Sequence, residues 1–525
     1  MEITSFYFLC FYALILPVYY IVPRKAQWVI LLASSFAFYV FAGGNKWLIM
    51  WPVSAIAVTY ICTRCMGETS SARPGIRRTS MIFCVTILIG SLAVLKYMKF
   101  GGGVAIPLGI SYYTFILTGY AFDVYNGIAP LEKNPAKLAL YGLFFPTVVS
   151  GPIVIYRNDG AQYFAGHSFD YNKVTKGLQR MVWGFFKKLV ISERAAVMAN
   201  TIFDNYTQYR GAWIWIGAVM FTIQLYTDFS GCMDIVMGVA ETFGFKLPEN
   251  FRQPFFSKSI SEYWRRWHIT LGVWMKDYVF YPLLRSGLFM NMSRNMKKKL
   301  GKKAGKQITT FTAMFILWGA IGLWHGGDIK YVIGSGLLHW FYIVIGEVTL
   351  PFWKKVLPAM HIKMEGAGAD LFRIIRTFFL VNIGNTFFRA ASAGDAVHML
   401  GRAFTTFNPQ ILFSGAFLSL GLDWTEFTIF AVSVVILFVV SILEVTPVKS
   451  RIAAAAAGEA VTACGGKSVS ADGSSGGTIM TVRDRIARHR IVTRWLIWFA
   501  LLFFVIIFGE YGPGYDSSAF IYAGF

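Results

Sequence analysis

Runs of about 20 apolar residues, separated by short polar turns, recur along almost the whole chain. They cover about 4–22, 26–43, 45–62, 80–98, 106–126 and 138–155, then 211–227, 308–326, 331–350, 372–391, 425–444 and 493–509. A helix of about 20 residues crosses a hydrocarbon core about 30 Å thick. Segments near 174–200, 232–243, 263–283 and 410–422 are too short or too polar for a full crossing and read as interfacial or re-entrant helices. The pattern predicts an all-α, polytopic membrane protein with about 11–13 membrane helices, re-entrant ones included, built as a single unit over residues 1–525.

Charge decides which way such a chain faces. The first cation, Arg24, follows the first apolar run, whereas a cleaved signal peptide carries its charge ahead of the run. The run is therefore expected to be kept as a span, with Arg24 and Lys25 in the cytosol and the N-terminus outside. Counting forward places 63–79, with Arg64, Arg73, Arg77 and Arg78, in the cytosol again. Two further basic segments follow. One, 285–306, includes Arg294, Lys297, Lys298, Lys299, Lys302 and Lys303; the other, 447–494, holds Lys449, Arg451 and five arginines from Arg483 to Arg494. Inside the second, five alanines and a Gly/Ser-rich stretch ending at Gly477 predict a flexible cytosolic loop.

These placements account for most of a formal charge of +22 in a chain of 525 residues that is only 14% charged, with a mean hydropathy of +0.53. Soluble domains are about 25% charged. So sparse a set cannot coat a globule of 59.0 kDa, and the same composition excludes a disordered chain or a small disulfide scaffold. The cations alternate with apolar spans, not with stacking aromatics on one soluble face, so lipid and not nucleic acid is the expected contact. Cys62 and Cys65 are spaced C-x-x-C but end a predicted span and have no second pair, so no metal site is expected.

An ionisable group within a span costs several kcal/mol unless paired or hydrated, which makes each one a candidate for function. His325, in Gly322-Leu323-Trp324-His325-Gly326-Gly327, ends an apolar run. A neutral imidazole there can take a proton from a hydroxyl nucleophile, although a packed or interfacial histidine is the more common reading of a helix end. The glycines would let a substrate or another helix approach, and Trp324 offers an aromatic wall. His268 lies in Glu262-Tyr263-Trp264-Arg265-Arg266-Trp267-His268, where a helix would pair Glu262 with Arg266 and leave Arg265 for a phosphate, a head group or a helix end. His339 reads as structural, and His167, His361, His398 and His489 as solvated. Asp123 and Asp228 end apolar runs and could orient an imidazole or pair with an arginine. No Ser-His-Asp, P-loop, dinucleotide or HExxH signature occurs in a suitable context.

The motifs resemble the membrane-bound O-acyltransferase superfamily, in particular its bacterial branch of alginate O-acetyltransferase subunits and teichoic-acid D-alanyl transfer proteins. Pro107-Leu108-Gly109-Ile110-Ser111, Phe145-Pro146 with Gly151-Pro152-Ile153, Phe186-Lys187-Lys188, Asp228-Phe229-Ser230-Gly231 and Leu247-Pro248-Glu249-Asn250-Phe251 match in order. So do the block 259–282, Leu323-Trp324-His325-Gly326, Phe387-Phe388-Arg389 and the ending Phe520-Ile521-Tyr522. The chain departs from the pattern after Tyr281-Pro282, where Leu283-Leu284-Arg285-Ser286 replaces a glycine-rich turn, and in the length of 447–494.

The resemblance implies a ring of tilted helices around a tunnel or funnel, with acyl transfer to a hydroxyl. It makes His325 the catalytic residue and His268 a second polar residue at the reaction centre, with Trp324, Trp267, Arg265, Asp228 and Ser230 expected to bind substrate. No bound cofactor is implied; the donor is expected to be acetyl-CoA or another acyl thioester. The implied protein sits in a bacterial cytoplasmic membrane and acetylates a polysaccharide outside it, with an extracytoplasmic acetyltransferase-type partner protein. A D-alanyl transferase fed by an acyl carrier protein is the alternative within the family, and a polysaccharide or lipid transporter without covalent chemistry the alternative outside it.

Overall fold

Seven helical segments are long and apolar enough to cross a bilayer: Arg24–Ala42, Lys46–Gly67, Pro74–Tyr97, Lys302–His325, Ile329–Ala359, Trp424–Val445 and Ile491–Phe508. They come from a computed structural model that describes residues 3–43, 45–68, 73–97, 106–462 and 481–511, with the backbone alone for Glu68 and 446–462. Among the described residues there is no strand. The ending at 520–522 lies outside them. Phe6–Ile21 is a further apolar helix of 16 residues.

The other apolar runs fold differently, for local reasons. The 138–155 run is not one helix: it is helical only over Pro135–Leu143, then turns through Pro146 and Gly151-Pro152 before Tyr156. The residue before a proline is pushed away from helical backbone, and two prolines this close end the element. The 211–227 and 232–243 segments fuse into one 31-residue helix, Ala212–Thr242, about 46 Å long by the helical rise. Polar Asp228 and Asp234 sit in this helix because their partners are brought to them. The 174–200 segment runs through Tyr171–Phe185, a π-type widening over Phe186–Ser192, and Glu193–Asp204. It lies against Ala212–Thr242 at backbone distance: a Cβ on Gly177 would stand 2.6 Å from the Gly238 carbonyl oxygen, and one on Gly184 2.6 Å from that of Gly231. Small residues at such a crossing let two helices gain packing that lipid cannot replace.

Contacts draw two of the basic segments, around Arg24 and Arg483, to one end of the bundle. Gly166 packs on the Arg24 backbone, Gln27 binds the His167 main chain, and Tyr20 donates to the carbonyl of Thr242 at the C-terminal end of the central helix. Arg483 pairs with Glu241 at 2.7 Å and Lys176 with Asp484 at 2.7 Å at that same end. His167, expected to be solvated, is half-buried and bonded to Tyr19 at 2.9 Å. Of the expected flexible loop, the backbone stays helical through Thr462, and Val482–Ala487 forms a short capped helix; residues 463–480 lie outside the described ones.

Candidate active site

His325 is the last residue of Lys302–His325, and the helix end is clamped from outside. Lys96 donates to the Trp324 carbonyl and Tyr97 to that of Leu323, so two carbonyls that a helix C-terminus leaves open are satisfied by the end of Pro74–Tyr97. The Lys96 ammonium also stands 5.3 Å from the centre of the Trp324 ring. The glycines of the motif serve helix packing: a Cβ on Gly322 would fall 2.6 Å from Val332 Cα, and one on Gly326 2.5 Å from the Tyr331 ring. The result is a buried imidazole with ring centres 4.8 Å from Trp324 and 5.5 Å from Phe388.

His268 reaches the same place from another direction. It precedes the Ile269–Met275 helix with φ 45° and ψ 51°, the left-handed region that non-glycine residues seldom occupy. Two main-chain bonds hold this corner against the 249–253 loop: Arg252 N–H to the Arg266 carbonyl at 2.9 Å and Ile269 N–H to that of Asn250 at 3.0 Å. Asn250 Oδ1 then accepts from Thr270 N–H at 3.1 Å and from the Thr270 hydroxyl at 3.0 Å. The Thr270 amide fixes which end of the Asn250 side chain is oxygen. His268 Nδ1, 3.1 Å from that oxygen, must therefore be the protonated nitrogen, and Nε2 carries the lone pair in the neutral ring. The His268 ring centre is 6.1 Å from that of Trp324, so the same indole ring neighbours both histidines.

Of the remaining expected site residues, Ser230 lines the cavity described below, and the others do not. Trp267 is buried and stacks on Tyr263 with ring centres 5.6 Å apart. Arg265 is exposed, while the neighbouring Arg266 pairs with Glu262 at 2.6 Å although the helix has already ended at Trp264. Asp228 pairs with Lys188 at 2.7 Å, and Lys188 also reaches Glu193 at 2.8 Å. The Ser230 hydroxyl and carbonyl each accept from Lys187 at 3.0 Å, and Lys187 pairs with Asp234 at 2.6 Å. Asp123 pairs with Arg157 at 2.7 Å and accepts from Tyr278 at 2.9 Å. His339, read as structural, packs against Trp264 with ring centres 4.9 Å apart.

A cavity of about 580 Å³ extends from Asn250 to Arg483 at the basic end. Arg180, Lys187, Ser230, Asp234, Glu249 and Asn250 form its polar wall, and side chains of the Trp424–Thr462 and Ile491–Phe508 helices its apolar one. That volume is in the range of small-molecule sites. Asn250 belongs both to the cavity wall and to the hydrogen bond that orients His268. Sequence reasoning placed Asn250 and Phe388 in motifs without giving them a role, and missed Lys96. The signal available was an uncharged amide next to Glu249 within a short motif of otherwise apolar residues.

Residues 132–380 match the membrane-bound O-acyltransferase family, and that segment contains both histidines and all the other expected site residues. The chain is 30% identical to a probable alginate O-acetylase, AlgI, of Pseudomonas fluorescens, over 77% of this chain and 75% of the relative. A peptidoglycan O-acetyltransferase of Helicobacter pylori is 29% identical over 56% of each chain. A teichoic acid D-alanyltransferase of Bacillus subtilis is 30% identical over 44% of this chain and 56% of its own. Multi-pass architecture and these relatives agree, and the chain belongs to the membrane-bound O-acyltransferase family.

Proposed function

We propose that this protein moves an acetyl group from a cytosolic thioester, such as acetyl-CoA, to a polysaccharide hydroxyl outside a bacterial cytoplasmic membrane. The observation that carries the reading is the convergence of His325, Trp324 and His268, with Asn250 tying His268 to the cavity that leads from the basic end. Gathering of Arg24 and Arg483 at that end supports a cytosolic placement for it and an outer N-terminus. Acetyl is favoured over D-alanyl because similarity to the alginate O-acetylase extends over 77% of this chain and that to the D-alanyltransferase over 44%. A partner protein on the outer face would complete transfer to the polymer.

In the proposed step, the acceptor hydroxyl gives its proton to His325 as its oxygen bonds to the thioester carbonyl carbon. Collapse of the tetrahedral intermediate breaks the C–S bond, and the imidazolium returns the proton to the departing thiolate. The intermediate needs a donor for its oxyanion. Neutral His268 offers a lone pair at Nε2 and so suits proton acceptance better than oxyanion binding. Trp324 Nε1–H is a buried donor with no acceptor among the described residues, and it fits that need. Incubation of the purified protein in nanodiscs with radiolabelled acetyl-CoA and an alginate-type polysaccharide tests the reading; no label transferred to any polysaccharide or thioester-exchange product would overturn it. Trp324→Phe, which keeps the ring and deletes the donor, is expected to lower kcat about 100-fold with little change in KM, measured by initial rates of label transfer.

A further inference from the structure

A second cavity lies away from the histidines, in the hairpin of Gly287–Leu300 and Lys302–His325. Ser286 caps the first helix through the Phe289 amide, and Gly301 turns the chain at φ 82°. Gly305 sets the spacing of the pair, since a Cβ there would stand 2.4 Å from Lys297 N and 2.5 Å from Met296 C. The crossing brings Arg294, Lys297, Lys298 and Lys306 around a space of about 650 Å³, with Ser293 and Thr310 beside them and buried Phe289 at its floor.

What sets this pocket apart is its charge. From 278 to 327 the sequence has no Asp or Glu. None of the four cations pairs with a carboxylate among the described residues, whereas Arg157, Arg180, Lys187, Lys188 and Arg266 all do. All four are exposed, so water screens their repulsion while leaving them open to an anion, and guanidinium, ammonium and hydroxyl donors together suit phosphate oxygens. Leu288 and Met290 are exposed on the same helix, which places the pocket where apolar and aqueous surroundings meet.

We propose that this pocket binds a phosphate ester. Two sources carry that chemistry: the head group of an anionic lipid, and the nucleotide phosphates of a thioester donor, the latter resting on the proposed function. The test uses the full-length protein in phosphatidylcholine nanodiscs, with coenzyme A titrated by calorimetry and phosphatidylglycerol retention followed by native mass spectrometry. Combined Arg294→Gln, Lys297→Gln and Lys298→Gln substitutions are expected to weaken binding at least about 10-fold. Loss confined to coenzyme A identifies the nucleotide as the source, loss confined to phosphatidylglycerol identifies lipid, and loss of both supports a general phosphate site. Wild-type binding of both ligands by the triple variant, or of neither by the wild-type protein, overturns the proposal. The charge-conserving set Arg294→Lys, Lys297→Arg and Lys298→Arg should bind like wild type; if it fails alike, packing and not charge is responsible and the site is rejected. Neither readout depends on acyl transfer, so an inactive His325→Ala protein that still binds phosphate separates this inference from the catalytic one.

Discussion

His325→Ala is expected to reduce acyl transfer about 1,000-fold, with the KM for the thioester donor nearly unchanged. General base catalysis contributes about 100- to 10,000-fold to such reactions, and the loss should fall on kcat because a proton acceptor acts in the transition state. The geometry leaves little room for replacement. His325 is 3% exposed, its helix end is fixed by Lys96 and Tyr97, and its ring is lodged between Trp324 and Phe388. Water is therefore a poor substitute for the lost imidazole. His325→Gln fills much of the same space without accepting a proton at neutral pH, and should lose activity to a similar degree. Initial rates of label transfer at saturating and sub-saturating donor, on protein that elutes as wild type in detergent, make the comparison. Near-wild-type turnover in either variant would remove His325 from the chemistry.

How far the sequence anticipates this arrangement varies with the physics involved. Long apolar runs ending in charge announce themselves, and spans such as Pro74–Tyr97 and Lys302–His325 lie where hydropathy puts them. The joining of 211–227 to 232–243 was hidden because Asp228 and Asp234 look too polar for a buried helix. They are tolerated because Lys188, Lys187 and Arg180 arrive from the helix of residues 171–204. Pairing across 40 or more residues leaves no local periodicity to read. His325 stood out as a lone titratable group at an apolar helix end. His268 could be suspected, but its left-handed backbone and its Nδ1–H tautomer depend on Asn250, 18 residues earlier, and on the Thr270 amide. The same long-range pairing sets a scaffold role beside substrate binding for Asp228, and the two have different measurable consequences.

Asp228→Asn is expected to destabilise the protein by about 3–5 kcal/mol, the range for removing one partner of a buried ion pair. Asp228 is 1% exposed and Lys188 3%, so the ammonium left behind cannot recover the lost attraction from water. Glu193 offers it partial relief at 2.8 Å, but that carboxylate is itself 19% exposed and already engaged with Lys188. The effect should appear as a lower midpoint of thermal unfolding in detergent and as reduced yield in the membrane. Replacing both members, Lys188→Met with Asp228→Leu, removes the charge and its counter-charge together, with Glu193→Gln added because Glu193 also pairs with Lys188. This set should restore most of the stability, because buried charges are often nearly neutral against apolar residues of similar volume. A direct contact with substrate predicts the opposite pattern: Asp228→Asn would raise KM at unchanged stability, and the combined substitution would remain as impaired as the single one. The two patterns separate on one purified series, with unfolding midpoint and KM measured on the same preparations.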